Sequence, residues 1–250
     1  MNITTLLYAF FGGLLPAIIW LYFLLKEDSR CPEPRVMIWL SVILGMALVP
    51  IALYAQIWSC QELANTFGVC GNLRHATLET LGIKVIFAWA AIEETLKYLA
   101  AAIFILPRRA VDESPDYVIY MITIALGFAA FENALYLYDP LVRGDITQSI
   151  VGNNLRFLGA NLLHVISSAC IGFALAFSYR KRPALRALYA AGGVILAIGL
   201  HTAFNALIML RSGQETLFAF LLVWSTAVVF FALFEILKYW RYRRLANNTC

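Results

Sequence analysis

The chain has 250 residues, of which 62% are hydrophobic and only 14% charged, and its mean hydropathy is +0.76. That lies far from the roughly 45–50% apolar usage of soluble domains and excludes a soluble globular enzyme. The net charge of +4 comes from basic residues dispersed over four segments, which argues against a nucleic-acid-binding face and for a membrane topology signal.

Apolar runs long enough to span a hydrocarbon core of roughly 30 Å occur at about residues 3–25, 36–59, 81–106, 117–138, 153–179, 185–210 and 216–239. The expected fold is therefore all-α: a polytopic transmembrane helical bundle of about seven spans, forming a single integral membrane domain over residues 1–250. The first run lacks a basic leader and a small-residue cleavage site, so it reads as a retained helix. The stretches "KEDSRCPEPR" and "PRRAVDESPD" are charged, Pro-containing turns between spans. No internal repeat or domain linker is visible.

Thirteen basic residues fall on one side of these spans: Lys26, Arg30, Arg35, Arg108, Arg109, Arg180, Lys181, Arg182, Arg186, Lys238, Arg241, Arg243 and Arg244. The other side holds Arg74, Arg143 and Arg211, and five in all when Lys84 and Arg156 at helix ends are included. Basic residues resist translocation, so the N-terminus is expected outside and the C-terminus in the cytoplasm. Cys60 and Cys70 then share the longest external loop, where an oxidising compartment permits a disulfide. Cys31 and Cys250 are expected on the reducing side, and Cys170 as packing within a helix. Arg156 and Lys84 are expected at the external interface, and Glu235 as a helix-end residue beside Lys238.

The third run contains "EETLK". Charged and central, Glu93, Glu94 and Lys97 would together cost roughly 8–10 kcal/mol on an insertion scale, against about 4–7 kcal/mol returned by the Leu, Ile, Val and Phe residues of that run. Such a helix inserts poorly alone, so these groups must pair or face a polar cavity. Glu93 and Lys97 stand at i,i+4 and Glu94 and Lys97 at i,i+3, so one glutamate can hold the lysine while the other stays free as a base.

Later runs repeat the pattern. The fourth has "FAAFENAL", with Phe128 one turn before Glu132 and with Asn133 beside it; the fifth has His164, sharing a face with Asn161 and Ser168; the sixth has "HTAFN", with His201 and Asn205 at i,i+4. At a rise of roughly 1.5 Å per residue, Glu93, Glu132, His164 and His201 fall about 10–18 Å below the external surface, in one slab. A lone buried His or Asn in a membrane helix is interhelical glue more often than chemistry. Four at one depth are better explained by a site.

Two histidines, amides and carboxylates can bind and activate water. A glutamate can take a proton from water, and His and Asn side chains can donate to the oxyanion of a tetrahedral intermediate. H-E-x-x-H, G-x-G-D and G-x-S-G signatures are absent from the sequence. A His₂Glu zinc site from Glu132, His164 and His201, with Glu93 as base, stays open as an alternative to a site without a cofactor. A proton- or ion-coupled carrier is the rival class, although no paired repeat accompanies the charged residues. A noncatalytic membrane scaffold with a polar core is a third.

"EETLK", "FAAFE", the lone His164 and "HTAFN", in that order on successive helices, resemble the PrsW family, within the larger group of CAAX-processing and bacteriocin-processing membrane proteases. The resemblance covers about residues 82–206, which would be the catalytic core helices. It implies a glutamic-type intramembrane endopeptidase of a bacterial cytoplasmic membrane. The implied substrate is a membrane-anchored protein cut near the external face, as in first-site cleavage of an anti-sigma factor. By the same analogy Glu93 is the general base, Glu94 and Lys97 shape its charge, Glu132 helps to position water, and His201 and Asn205 form the oxyanion site; His164, the third-motif histidine, is counted with the catalytic residues, and Phe128 and Asn133 are supporting residues.

Overall fold

The computed structural model describes residues 3–27, 32–65, 68–71, 77–145, 147, 149–150, 156–210 and 213–245. Arg30, Cys31, Arg74, Arg211 and Cys250 lie outside the described residues. The long elements are α1 (Ile3–Glu27), α2 (Arg35–Leu63), α4 (Ile83–Ala100), α5 (Ser114–Val142), α6 (Asn161–Ser178), α7 (Pro183–Met209) and α8 (Gly213–Leu245), with a short α3 (Leu78–Leu81) before α4. Strands are absent among the described residues. Helices are the expected outcome, because a chain in hydrocarbon must satisfy its backbone polar groups within each segment.

Six helices are long and apolar enough to cross a membrane, and α4 is the long helix that is not among them. Its charged residues lower its hydropathy, as the insertion argument requires. A π-helical turn, Ala101–Ile105, continues it, with Leu106 N–H donating to Ala101 O five residues back. Together they run from Ile83 to Ile105, about 34 Å at 1.5 Å per residue, so length is not what sets α4 apart. Gly82 separates α3 from α4 at φ +82°, a left-handed conformation that favours glycine; an added Cβ would also meet the Asn65 side chain at 2.7 Å. A second π-helical turn, Arg156–Ala160, leads into α6.

The central element is α5, which packs on α1, α2 and α6 and is buried along most of its length. Pro115 in its first turn and a capping box between Glu113 and Asp116 start it: Asp116 Oδ2 accepts from the backbone N–H groups of Asp112 (2.9 Å) and Glu113 (2.7 Å). Its crossing with α2 is a backbone contact. A Cβ on Gly45 would lie 2.0 Å from Ile124 O, and one on Gly127 2.1 Å from Val42 O, so only glycines permit this approach.

Around α5 the order closes: α4 packs on α2 and α7, α7 on α6 and α8, and α8 on α6. The outward faces of α7 and α8 expose Leu188, Ile195, Leu196, Val228 and Phe231, side chains that suit lipid and not water. One buried cluster of apolar residues runs through the bundle along α1, α2, the end of α4 with its π-helical turn, α5, α6, α7 and α8. Cys60 at the end of α2 is disulfide-bonded to Cys70, and Cys170 is a buried free thiol. At the opposite end of the bundle Lys238 reaches Glu235 at 2.6 Å and also pairs with Glu27 of α1.

Candidate active site

Helical spacing turns Glu93, Glu94 and Lys97 of α4 toward the bundle interior, where they are 5%, 0% and 0% exposed. Lys97 Nζ lies 2.8 Å from Glu94 Oε1 and 3.5 Å from Glu93 Oε2, so the lysine belongs first to Glu94. Glu94 is fully engaged. Its Oε1 also meets His201 Nδ1 at 2.8 Å, and its Oε2 accepts from Ser168 Oγ at 3.3 Å.

An ammonium can only donate, and Lys97 Nζ stands 2.9 Å from His164 Nδ1, so that nitrogen is the acceptor. The proton of neutral His164 is then on Nε2, which donates to Glu132 Oε2 at 3.0 Å. Phe128 of α5 closes one side: its ring centroid is 4.4 Å from Lys97 Nζ and 5.5 Å from the His164 ring. The His164 and His201 rings meet edge to face at 5.2 Å.

Glu93 is held differently. Its Oε1 accepts from Gln56 Nε2 of α2 at 2.8 Å. Its Oε2 is buried and accepts no hydrogen bond from a described protein group. Opposite it, at 3.9 Å, is His201 Nε2. His201 gives its Nδ1 proton to a carboxylate, so in the neutral ring Nε2 carries a lone pair. With a neutral His201 ring two acceptors face each other here, while Lys97 Nζ at 3.5 Å and His164 Nδ1 at 3.8 Å flank the same oxygen.

Glu132 is the most open of the carboxylates, its side chain 32% exposed, and its Oε2 takes Arg156 Nη2 at 2.5 Å as well as His164. Arg156, expected at the external interface, turns inward instead. Its Nε donates to Asn133 Oδ1 at 2.5 Å, its guanidinium lies 4.7 Å from the Tyr136 ring, and Asn133 Nδ2 in turn donates to Asn161 Oδ1 at 2.7 Å. A half-buried carboxylate at the edge of the cluster attracts the nearest cation.

The structure thus brings together Glu93, Glu94, Lys97, Phe128, Glu132, Asn133, His164 and His201. Asn205, one turn beyond His201, is partly exposed, and no hydrogen bond joins it to the cluster among the described residues. Gln56 and the inward contact of Arg156 are what the motif reading missed, while Ser168, noted on the His164 face, meets Glu94. Gln56 stands alone near the end of an apolar helix and Arg156 at a helix start, positions that read as interfacial; Ser168 had a signal in its i+4 spacing from His164.

An apolar cavity of about 320 Å³ lies on another face of α6, lined by residues such as Trp20, Leu126, Leu162, Ile166 and Phe173. Its lining is almost wholly apolar, with Glu27 at one end the only ionisable side chain among the described residues that line it, whereas the Glu93 cluster gathers several carboxylates and imidazoles.

A family model described as "PrsW family intramembrane metalloprotease" matches residues 33–234. The protein named protease PrsW from Geobacillus kaustophilus is 25% identical over 204 residues, covering 80% of this chain and 79% of that one. Protease PrsW of Clostridioides difficile is 23% identical over 203 residues, 81% of this chain and 79% of the relative. Protease PrsW of Bacillus subtilis is 30% identical over 126 residues, about half of each chain. No solved structure matches the chain.

Proposed function

The chain belongs to the PrsW family of intramembrane proteases, and from that premise we propose that it hydrolyses peptide bonds by a glutamic, metal-free mechanism with Glu93 as the general base. The observation that carries this reading is the pair of facing acceptors, Glu93 Oε2 and His201 Nε2, 3.9 Å apart with no protein donor for the former. Water is the small molecule that donates to two acceptors at once, and 3.9 Å suits one water bridging them.

In this mechanism Glu93 removes a proton from the bridging water as its oxygen bonds to the substrate carbonyl carbon. The tetrahedral intermediate collapses, the C–N bond breaks, and the same proton passes from Glu93 to the leaving amine. Glu94 keeps His201 in the tautomer that receives the water. Lys97 places a positive charge 3.5 Å from the reacting carboxylate oxygen. Asn205, free of the cluster, is the proposed oxyanion donor. In neutral form His201 accepts at Nε2, so the structure favours it as a water-holding group over the oxyanion role that the family analogy implied.

The family description implies a metal ion, and the donor types suit one: ligand atoms of Glu93, Glu94, His164 and His201 lie within 4.8 Å of one another. Their disposition does not. Lys97 stands within 2.8–3.5 Å of Glu94, His164 and Glu93, a cation already at the centre of three of the four donors. Glu93 Oε2, 3.5 Å from that ammonium, and His201 Nε2 are the ligand atoms of this cluster without a hydrogen bond among the described residues, and catalytic zinc takes three protein ligands. The set Glu132, His164 and His201 is no better supplied, because Glu132 Oε2 is held by Arg156.

We further propose that the substrate is a membrane-anchored protein cut near the external face, with a membrane-anchored anti-sigma factor as the first candidate. Two features support an outward site: the disulfide, which suits an oxidising side, and the distance of the site from that end of the bundle. Gln56 is about 10 Å, at 1.5 Å per residue, from the end of α2 at Leu63.

The test compares new N-termini in membranes of cells carrying the native chain or Glu93→Gln at matched expression. Termini beside a transmembrane segment are expected only with the native chain, and general-base loss should lower the rate about 10²–10⁴-fold. Cleavage that survives Glu93→Gln would remove Glu93 as the base. Purified protein should keep its activity in 1,10-phenanthroline; inhibition reversed by zinc would replace the metal-free mechanism.

A further inference from the structure

We infer that Gln56 is a positioning residue for this reaction: its amide holds one oxygen of Glu93 and so presents the other to the reacting centre. The inference rests on the reading of Glu93 as the base.

The contact is from Gln56 Nε2 to Glu93 Oε1 at 2.8 Å, across thirty-seven positions of sequence. A carboxylate only accepts, so the donating nitrogen of the amide is the end that must face it. A carboxylate turns easily about its last torsion, whose profile is broad and roughly two-fold. Left alone beside Lys97 Nζ, now 3.5 Å from Oε2, Glu93 would turn to share the ammonium. Lone pairs that should receive the water proton would then be spent in an ion pair. With Oε1 given to Gln56, only Oε2 remains, and it faces His201 Nε2.

Gln56 is itself held. Its backbone oxygen accepts from Trp89 Nε1 of α4 and from Ser59 Oγ, each at 3.0 Å. One turn further along α2, Cys60 is disulfide-bonded to Cys70, and Ala64 N–H donates to Cys60 O at 3.0 Å. The amide therefore projects from a segment tied on two sides: to α4, which carries Glu93, and to the loop that leads into it. Trp89 is one turn before Glu93 on the same helix, so the indole and the amide bracket the carboxylate from two positions.

The experiment uses the full chain in lipid nanodiscs. Its substrate is a single-span reporter carrying the junction to which the native chain's new N-termini map. Gln56→Met keeps the length of the side chain and removes the donor. Gln56→His returns a ring nitrogen to about the place of the amide nitrogen. The expected result is a kcat roughly 10- to 100-fold lower for Gln56→Met, the range for a lost hydrogen bond to a charged group, with KM and the thermal midpoint unchanged. Gln56→His should stay within a few-fold of native. Should Gln56→Met lower the thermal midpoint, Gln56→Leu takes its place as a second side chain without a donor; it is expected to lose at least as much.

Native kcat in the donor-less variants overturns the inference, as does a loss by Gln56→His equal to that of Gln56→Met, or an effect on KM alone. A native chain that yields no new termini overturns the protease reading and this one together. Native cleavage with an indifferent Gln56 overturns this one only.

Discussion

Glu93 and Glu94 are consecutive residues with different surroundings, because one residue of helix turns the side chain by about 100°. Glu94 meets Lys97, His201 and Ser168; Glu93 meets Gln56 and keeps an oxygen without a protein donor. Their substitutions should therefore fail differently. Glu94→Gln leaves the fully buried ammonium of Lys97 without its 2.8 Å partner, and breaking a buried pair on one side costs about 3–5 kcal/mol. Glu93→Gln removes the more distant partner and should leave the fold close to native while lowering turnover about 10²–10⁴-fold. Denaturant titration of both variants in micelles checks this, and equal stabilities would contradict the ranking of the two ion pairs. At this scale the sequence showed which residue types gather, since Glu, Lys, His and Asn stand out in apolar runs. It did not show Gln56 or the inward turn of Arg156. A single polar residue near a helix end has no spacing that separates an interfacial role from a long-range contact.

Among the elements, the apolar runs made the long helices legible, and the charges in the third run marked α4 as the helix that depends on its neighbours. The π-helical turns at Ala101–Ile105 and Arg156–Ala160 carried no comparable pattern. Nor did periodicity reveal which faces meet: α5 is buried along most of its circumference, so its apolar residues mark no single side. The α2–α5 crossing depends on Gly45 and Gly127, with no room for a methyl group at either. Gly127→Ala should therefore push α2 away, costing about 1–3 kcal/mol or more as overpacking does. Because α2 also carries Gln56, cleavage should fall along with stability. A lowered unfolding midpoint with reduced kcat is the expected outcome; native stability would mean that the helices separate freely at that point.

For the whole molecule, the remaining question is which side of the membrane the site faces. We propose, from the distribution of basic residues, that the disulfide end lies outside. In intact cells, with Cys31 and Cys250 replaced by serine, a membrane-impermeant reductant followed by an impermeant maleimide should label Cys60 and Cys70. A cysteine introduced by Ala110→Cys, beside Arg108 and Arg109, should stay unlabelled until the cells are opened; the reverse pattern would invert the topology and put the site near the cytoplasm. By itself the sequence determined that the protein is an α-helical membrane bundle and that carboxylates and imidazoles share one depth in it. Both follow from local physics, the cost of hydrocarbon for polar groups and the fixed rise of a helix. Only the tertiary structure decided which glutamate is the nearer partner of Lys97, which groups each imidazole nitrogen meets, and that a glutamine thirty-seven positions away holds the other carboxylate. Those depend on donors and acceptors converging from α2, α4, α5, α6 and α7, and no run of residues along one helix encodes that convergence.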